Sequence, residues 1–203
     1  MEPFKTLTSI AAPLDRTNVD TDQIIPKQFL KRIERTGYGD FLFFDWRQTP
    51  EGKPLPEFVL NDPRYKDAKI LIAGKNFGCG SSREHAAWAL SDFGFRVVIA
   101  PTFADIFFSN AGKNGIVLAR LSESDVETLL RNVESIPHYK LTVSLLVQTV
   151  TDDRGFKETF EVDPFRKYCL LEGLDDIGLT LRHAAELDKY ETQHDEATWL
   201  HAK

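Results

Sequence analysis

The sequence predicts an α/β fold: a three-layer unit with a mainly parallel sheet and some added strands. Two observations carry that expectation. Through the middle of the chain, short β-branched runs alternate with helical patterns across short connections. The C-terminal third then changes character and adds strand-like segments outside the alternation.

The elements follow in order. Upstream, "GKPLPEFVLNDPRYKD" carries three prolines and reads as an irregular connector. "KILIAG" (Lys69–Gly74) is a β-branched run ending in glycine, as expected of a buried strand. Beyond it, Ala86, Ala89, Leu90 and Phe93 recur at helical spacing, with Gly94 as the stop. "FRVVIAP" (Phe95–Pro101) is the next strand. "TFADIFFSNAGKNG" is helical, closing on Gly112 or Gly115, and "IVLARL" (Ile116–Leu121) is a further strand. "KLTVSLLVQTVTD" and "KETFEVD" read as two strands, followed by helical "PFRKYCLLEGL". Residues 1–183 are expected to form one domain. Residues 184–203 are charged and polar, as in a solvated helix or tail.

Composition narrows the class. At 203 residues, 42% of them hydrophobic, the chain can bury a proper core. Its 31 acidic against 25 basic residues give a formal charge of -6, which offers no global attraction to nucleic acid or an anionic membrane. Two cysteines, Cys79 and Cys169, stand far apart, which argues against a disulfide scaffold or a structural zinc site and for a reducing compartment. The first twenty residues lack the apolar run of a signal peptide, and no run approaches the roughly 20 residues of a bilayer span. A cytoplasmic protein is expected.

The chemistry gathers in "GKNFGCGSSREHAA" (Gly74–Ala87). Three familiar motifs fail there or nearby. "FSNAGKNG" lacks the first glycine and the Ser/Thr of a phosphate-binding P-loop. Gly78 and Gly80 begin a dinucleotide fingerprint, but Arg83 stands at its third glycine. "GCGSS" is not a nucleophile elbow. Ser81 followed by Glu84 has the spacing of a capping box, with the serine oxygen accepting from the first turn and Glu84 reaching back. A cap, however, does not require a second serine and an arginine beside it. Free N–H groups at a helix start, its positive dipole end and a guanidinium together bind carboxylate. Local positive charge also favours the alkoxide of a serine, a strong base.

"GCGSSREHAAWAL" resembles the signature loop of the aconitase-type hydro-lyase swivel domain, whose pattern is GxGSSREHA. "NVDTDQIIPKQFLKRIERTG" and "EGLDDIGLTL" resemble the N-terminal and C-terminal segments of 3-isopropylmalate dehydratase small subunits. The similarity runs from about Phe4 to about Leu181, with the three motifs in order. It sharpens the expected fold to a swivelling β/β/α domain.

The resemblance implies roles for particular residues. Ser81 is the base that removes a proton beside a carboxylate, and Ser82 and Arg83 contact substrate carboxylate. Glu84 and His85 are read as structural, the capping partner and a hydrogen-bonding helix residue. Asp22, rather than Asp20, matches an acidic active-site position. In "FLKRIERTG" (Phe29–Gly37), the loop that senses the substrate's variable group, Lys31, Arg35 and Thr36 are the expected contacts. The implied reaction moves a hydroxyl between adjacent carbons by dehydration and rehydration, converting 2-isopropylmalate to 3-isopropylmalate through 2-isopropylmaleate. In the family a [4Fe–4S] cluster on three cysteines supplies the Lewis acid. Cys79 and Cys169 are too few, so the cluster is expected on a large partner subunit, this chain holding no metal. Two alternatives stay open: a related hydratase acting on citraconate or homoaconitate, and a non-catalytic carboxylate-binding regulatory domain. A serine hydrolase is disfavoured, since no histidine and acid are spaced to activate Ser81.

Overall fold

The structure is a computed structural model that describes residues 1–31 and 36–196. Seven strands form one sheet in the order β4-β3-β2-β1-β5-β6-β7. They are β1 (Thr6–Leu14), β2 (Ile70–Ala73), β3 (Val97–Ala100), β4 (Val117–Arg120), β5 (Lys140–Ser144), β6 (Thr149–Thr151) and β7 (Lys157–Thr159).

The parallel core is the expected one. Strands β1 to β4 pair in parallel, and every residue of β2 and β3 is buried. Uninterrupted Val/Ile/Leu runs such as "ILIA" and "VVIA" suit strands covered on both faces. The crossovers are α3 (Glu84–Phe93), between β2 and β3, and α4 (Asp105–Lys113), between β3 and β4. Gly94, at φ 117°, ends α3 as expected, whereas α4 runs through Gly112 and ends on Asn114.

Three elements depart from the expectation. Strand β1 was not expected, yet it is the centre of the sheet. Its first half pairs antiparallel with β5 and its second half parallel with β2. "KLTVSLLVQTVTD" is not one strand but a hairpin, β5 and β6, so the antiparallel flank has three strands. Helix α5 (Glu123–Ser135), also unexpected, packs over β1, β2 and β3 through Val126, Leu129, Leu130 and Val133.

The connector between β1 and β2 is made of short turns, including α1 (Thr21–Ile24) and α2 (Phe44–Arg47). Phe29 stacks on Phe41 at 4.0 Å between ring centroids. Helix α6 (Pro164–Glu172) lies against α4, α7 (Asp176–Leu181) follows, and α8 (Ala184–Glu196) is exposed over residues 184–194. Among the described residues no helix is long and apolar enough to cross a membrane.

Candidate functional site

The loop after β2 is held from both sides. On one side, Gly78 N–H donates to Val19 C=O at 2.7 Å and Thr21 N–H to Cys79 C=O at 2.8 Å. Thr21 Oγ1 also donates to Ser81 C=O at 2.9 Å. On the other, Phe77 N–H donates to Thr102 C=O and Ala104 N–H to Phe77 C=O, both at 3.1 Å. Buried Phe77 meets Phe103 and Phe107 edge-on, fixing the loop to the core.

Gly78 has no substitute. It lies at φ 79°, and a Cβ there would sit 2.2 Å from Cγ of Phe107. Gly80, at φ 91°, makes the second left-handed turn, next to Asp20 and Thr21. These two turns carry Ser81 and Ser82 to the surface, where both are exposed.

The expected Ser81–Glu84 capping box does not form. Helix α3 begins only at Glu84, with extended Arg83 (φ -141°) at its cap position and no side-chain cap bond. The Thr21 tether on the Ser81 carbonyl keeps that residue in the loop. The capping box lies elsewhere: Asp20 Oδ1 accepts from Gln23 N–H at 2.8 Å, and Gln23 Oε1 accepts from Asp20 N–H at 3.0 Å. Asp20 therefore starts α1. The start of α4, with Ala104 at its cap position, also lacks a side-chain cap.

Both uncapped helix starts open on one cleft of about 250 Å³, lined by Thr21, Ser81, Arg83, Asp105 and Ile106 with Gly78, Gly80 and Phe107. Unsatisfied N–H groups and the positive dipole ends of two helices there favour an anion. Arg83 is 12% exposed at its side chain and pairs with Asp22 Oδ1. The other Asp22 oxygen lies 3.3 Å from Lys27 Nζ. Asp20 and Asp22 thus separate cleanly: one caps a helix, the other faces the cleft's arginine.

Of the residues expected at the site, Ser81, Arg83 and Asp22 come together, with Ser82 beside them. Lys31 ends a 3₁₀ turn (Lys27–Lys31) and Thr36 is exposed. Arg35 lies outside the described residues. His85, expected as a hydrogen-bonding helix residue, packs among aromatic rings. Its ring is 4.7 Å from Trp88 and 5.3 Å, edge-on, from Tyr38. Burial pushes its imidazole pKa down and the Arg83 guanidinium adds to that, while Glu84 opposes it. Lys27, Thr21 and Asp105 were not expected. No local pattern marks Asp105, because only the tertiary fold brings it to the loop.

Cysteine placement bears on the cluster. Cys79 is half-buried in the loop, and burial with nearby Asp20 pushes its thiol pKa up, away from the thiolate that iron requires. Cys169 is fully buried in α6. Two such cysteines do not fit a three-cysteine cluster site.

Comparison with known proteins settles the family. Residues 1–124 match the family model of the aconitase C-terminal domain and residues 127–164 match LeuD_N. Residues 176–203 match the C-terminal domain of the 3-isopropylmalate dehydratase small subunit. The 3-isopropylmalate dehydratase small subunit of Acidobacterium capsulatum is 67% identical over 200 residues, covering 98% of this chain and 94% of that protein. The small subunit of Brevibacillus brevis is 58% identical over 193 residues, covering 95% and 100%. The chain belongs to the family of 3-isopropylmalate dehydratase small subunits. A crystal structure of a 3-isopropylmalate dehydratase from Methanocaldococcus jannaschii shares the fold, with a TM-score of 0.65 at 24% identity, covering 91% of this chain and 99% of that one. The aconitase-type fold class is therefore the one observed.

Proposed function

We propose that this chain is the small subunit of a 3-isopropylmalate dehydratase of leucine biosynthesis, contributing a base and a carboxylate-binding half-site to an active site shared with a large subunit. One observation carries the reading: Arg83 and exposed Ser81 line the same cleft, at a helix start left without a side-chain cap. Family membership supplies the reaction class.

The substrate's carboxylate binds to the Arg83 guanidinium, the Ser82 hydroxyl and the first N–H groups of α3. Asp22 aims Arg83 from the rear. Ser81 Oγ then takes the proton from the adjacent carbon. The cationic side chains and helix start favour the alkoxide that this step consumes, and Ser81 becomes a neutral hydroxyl as the carbon gives up its proton. Rehydration runs the proton back from the same oxygen. Lys31, Thr36 and Arg35 belong to the arm that meets the substrate's branch.

A [4Fe–4S] cluster would supply the Lewis acid that hydroxide loss needs. This chain's cysteines do not fit it, so the cluster is assigned to the partner and nothing in the proton chemistry above depends on it.

The test is an anaerobic assay of 2-isopropylmaleate hydration with this chain alone, the cluster-loaded large subunit alone, and the two together. Activity in the mixture only, lost in Ser81→Ala while the complex still forms, is the expected result. A complex with an intact cluster and no turnover would refute the substrate assignment. Full turnover in Ser81→Ala would refute the base.

A further inference from the structure

Arg83 is held by a carboxylate before any substrate arrives. Its pairing with Asp22 orients the guanidinium but also neutralises it, and Asp105 lines the same cleft. An arginine already paired with one carboxylate is a poor receptor for a dicarboxylate, which carries two negative charges at neutral pH. Something must restore positive charge without removing Asp22.

Lys27 stands where it can. Its Nζ lies 3.3 Å from the Asp22 oxygen opposite the one that meets Arg83, and its side chain is 72% exposed. An ion pair so open to water contributes little to folding, so stability does not account for it. Pro26 follows the short helix α1, and the 3₁₀ turn that starts at Lys27 brings the ammonium back over Asp22. Two cations then bracket one carboxylate.

We propose that Lys27 is a positioning residue for the carboxylate-binding Arg83. Its ammonium holds the second oxygen of Asp22, so that Asp22 aims Arg83 without quenching it and the cleft admits a dianion. Lys27 acts through Asp22 and through its field, and it touches no reacting atom. This rests on the reading of the cleft as a dicarboxylate half-site.

The experiment uses the reconstituted complex with its large subunit and cluster, and 2-isopropylmaleate as substrate. Lys27→Met is expected to raise KM about three- to tenfold at low salt with kcat within about twofold, because an exposed charge acts on a dianion over a short, water-rich path. Lys27→Arg restores KM. Raising salt to about 0.5 M shrinks the gap between Lys27→Met and the unsubstituted protein to under about twofold, as screening removes what the charge supplied. An unchanged KM in Lys27→Met, with Ser81→Ala inactive, would overturn the role of Lys27 and leave the proposed function standing. A fall in kcat accompanied by a lowered unfolding midpoint and no rescue by arginine would also overturn it, since that is the mark of a structural residue. Full activity in Ser81→Ala would remove the half-site reading and this inference with it.

Discussion

Replacing Gly78 by alanine separates two effects that usually arrive together. Gly78 lies at φ 79°, and an added Cβ would lie 2.2 Å from Phe107 Cγ, 2.5 Å from its Cδ1 and 2.6 Å from its Cβ. Phe107 is 2% exposed and already meets Phe77 edge-on, so it cannot yield without moving the core. Left-handed backbone at a residue with a side chain costs about 1–3 kcal/mol, and overpacking a buried site costs about 1–3 kcal/mol more. The total is about 4 kcal/mol, a large part of the roughly 5–15 kcal/mol that holds a domain of this kind. Gly94 is the control: it too has positive φ, 117°, but nothing lies within 4 Å of its added Cβ. Gly94→Ala should carry the backbone cost alone. Urea unfolding of each variant gives the comparison, provided the slope stays constant. Gly78→Ala should lose at least about 1 kcal/mol more than Gly94→Ala. It should also lose turnover in the reconstituted complex beyond its unfolded fraction, because the loop that carries Ser81 must shift. Equal losses in the two variants, with normal turnover in Gly78→Ala, would refute the reasoning.

Other substitutions test the cleft and its surroundings. Arg83→Lys keeps the charge but loses the fork that grips a carboxylate, so KM should rise about tenfold or more in steady-state assays, an energy of about 1.4 kcal/mol or greater. Ile106 is 53% exposed and lines the cleft with Ser81, the face that the proposed function turns toward the large subunit. Ile106→Asp should weaken assembly with the large subunit in sedimentation or titration calorimetry while leaving the unfolding free energy within about 0.5 kcal/mol of normal. His85 has its pKa lowered in the fold, so between that value and the unfolded value of about 6.5 the unfolded chain binds more protons. Its contribution to stability is therefore complete above about pH 6.5 and declines as pH falls toward the folded value. His85→Phe should flatten that part of the stability–pH curve measured by denaturation.

Much of the fold was legible because its core is local in pattern. "ILIA" and "VVIA" announce buried parallel strands, and Gly94 announces the end of α3. Strand β1 was not legible, because its two halves answer to different neighbours. The half beside β5 is partly exposed and the half beside β2 fully buried, so no single period runs through "TLTSIAAPL". The β5–β6 hairpin hides for another reason. Its turn is made of exposed Leu146 and Val147 with left-handed Gln148, and it lacks the Gly or Asn-Gly signal of most tight turns. Helix α5 carried local signals, with Ser122 accepting from Asp125 N–H ahead of an apolar stripe. In the site, the motif located Ser81, Ser82 and Arg83, but its spacing misled about the cap. The Thr21 bond to the Ser81 carbonyl comes from 60 residues away, and no window of sequence contains it.

The uncapped start of α3 explains why the loop is tethered so heavily. A helix that lacks a side-chain cap gives up about 1 kcal/mol, and the two left-handed glycines before it add conformational entropy lost on folding. The bonds to Val19, Thr21, Thr102 and Ala104, with Phe77 buried between, compensate for that deficit without using the N–H groups themselves. The first-turn donors of α3 are left without a side-chain acceptor beside the cleft that Ser81 and Arg83 line. The same arrangement leaves Ser81 in water in the isolated chain, where an alkoxide has no advantage over hydroxide. A partner that covers the Ile106 rim would do more than bring a Lewis acid: by excluding water it would strengthen each interaction of Arg83 and the helix starts with the developing charge. Inactivity of the chain alone would then have two independent causes, and a cluster supplied without the covering surface should not restore turnover.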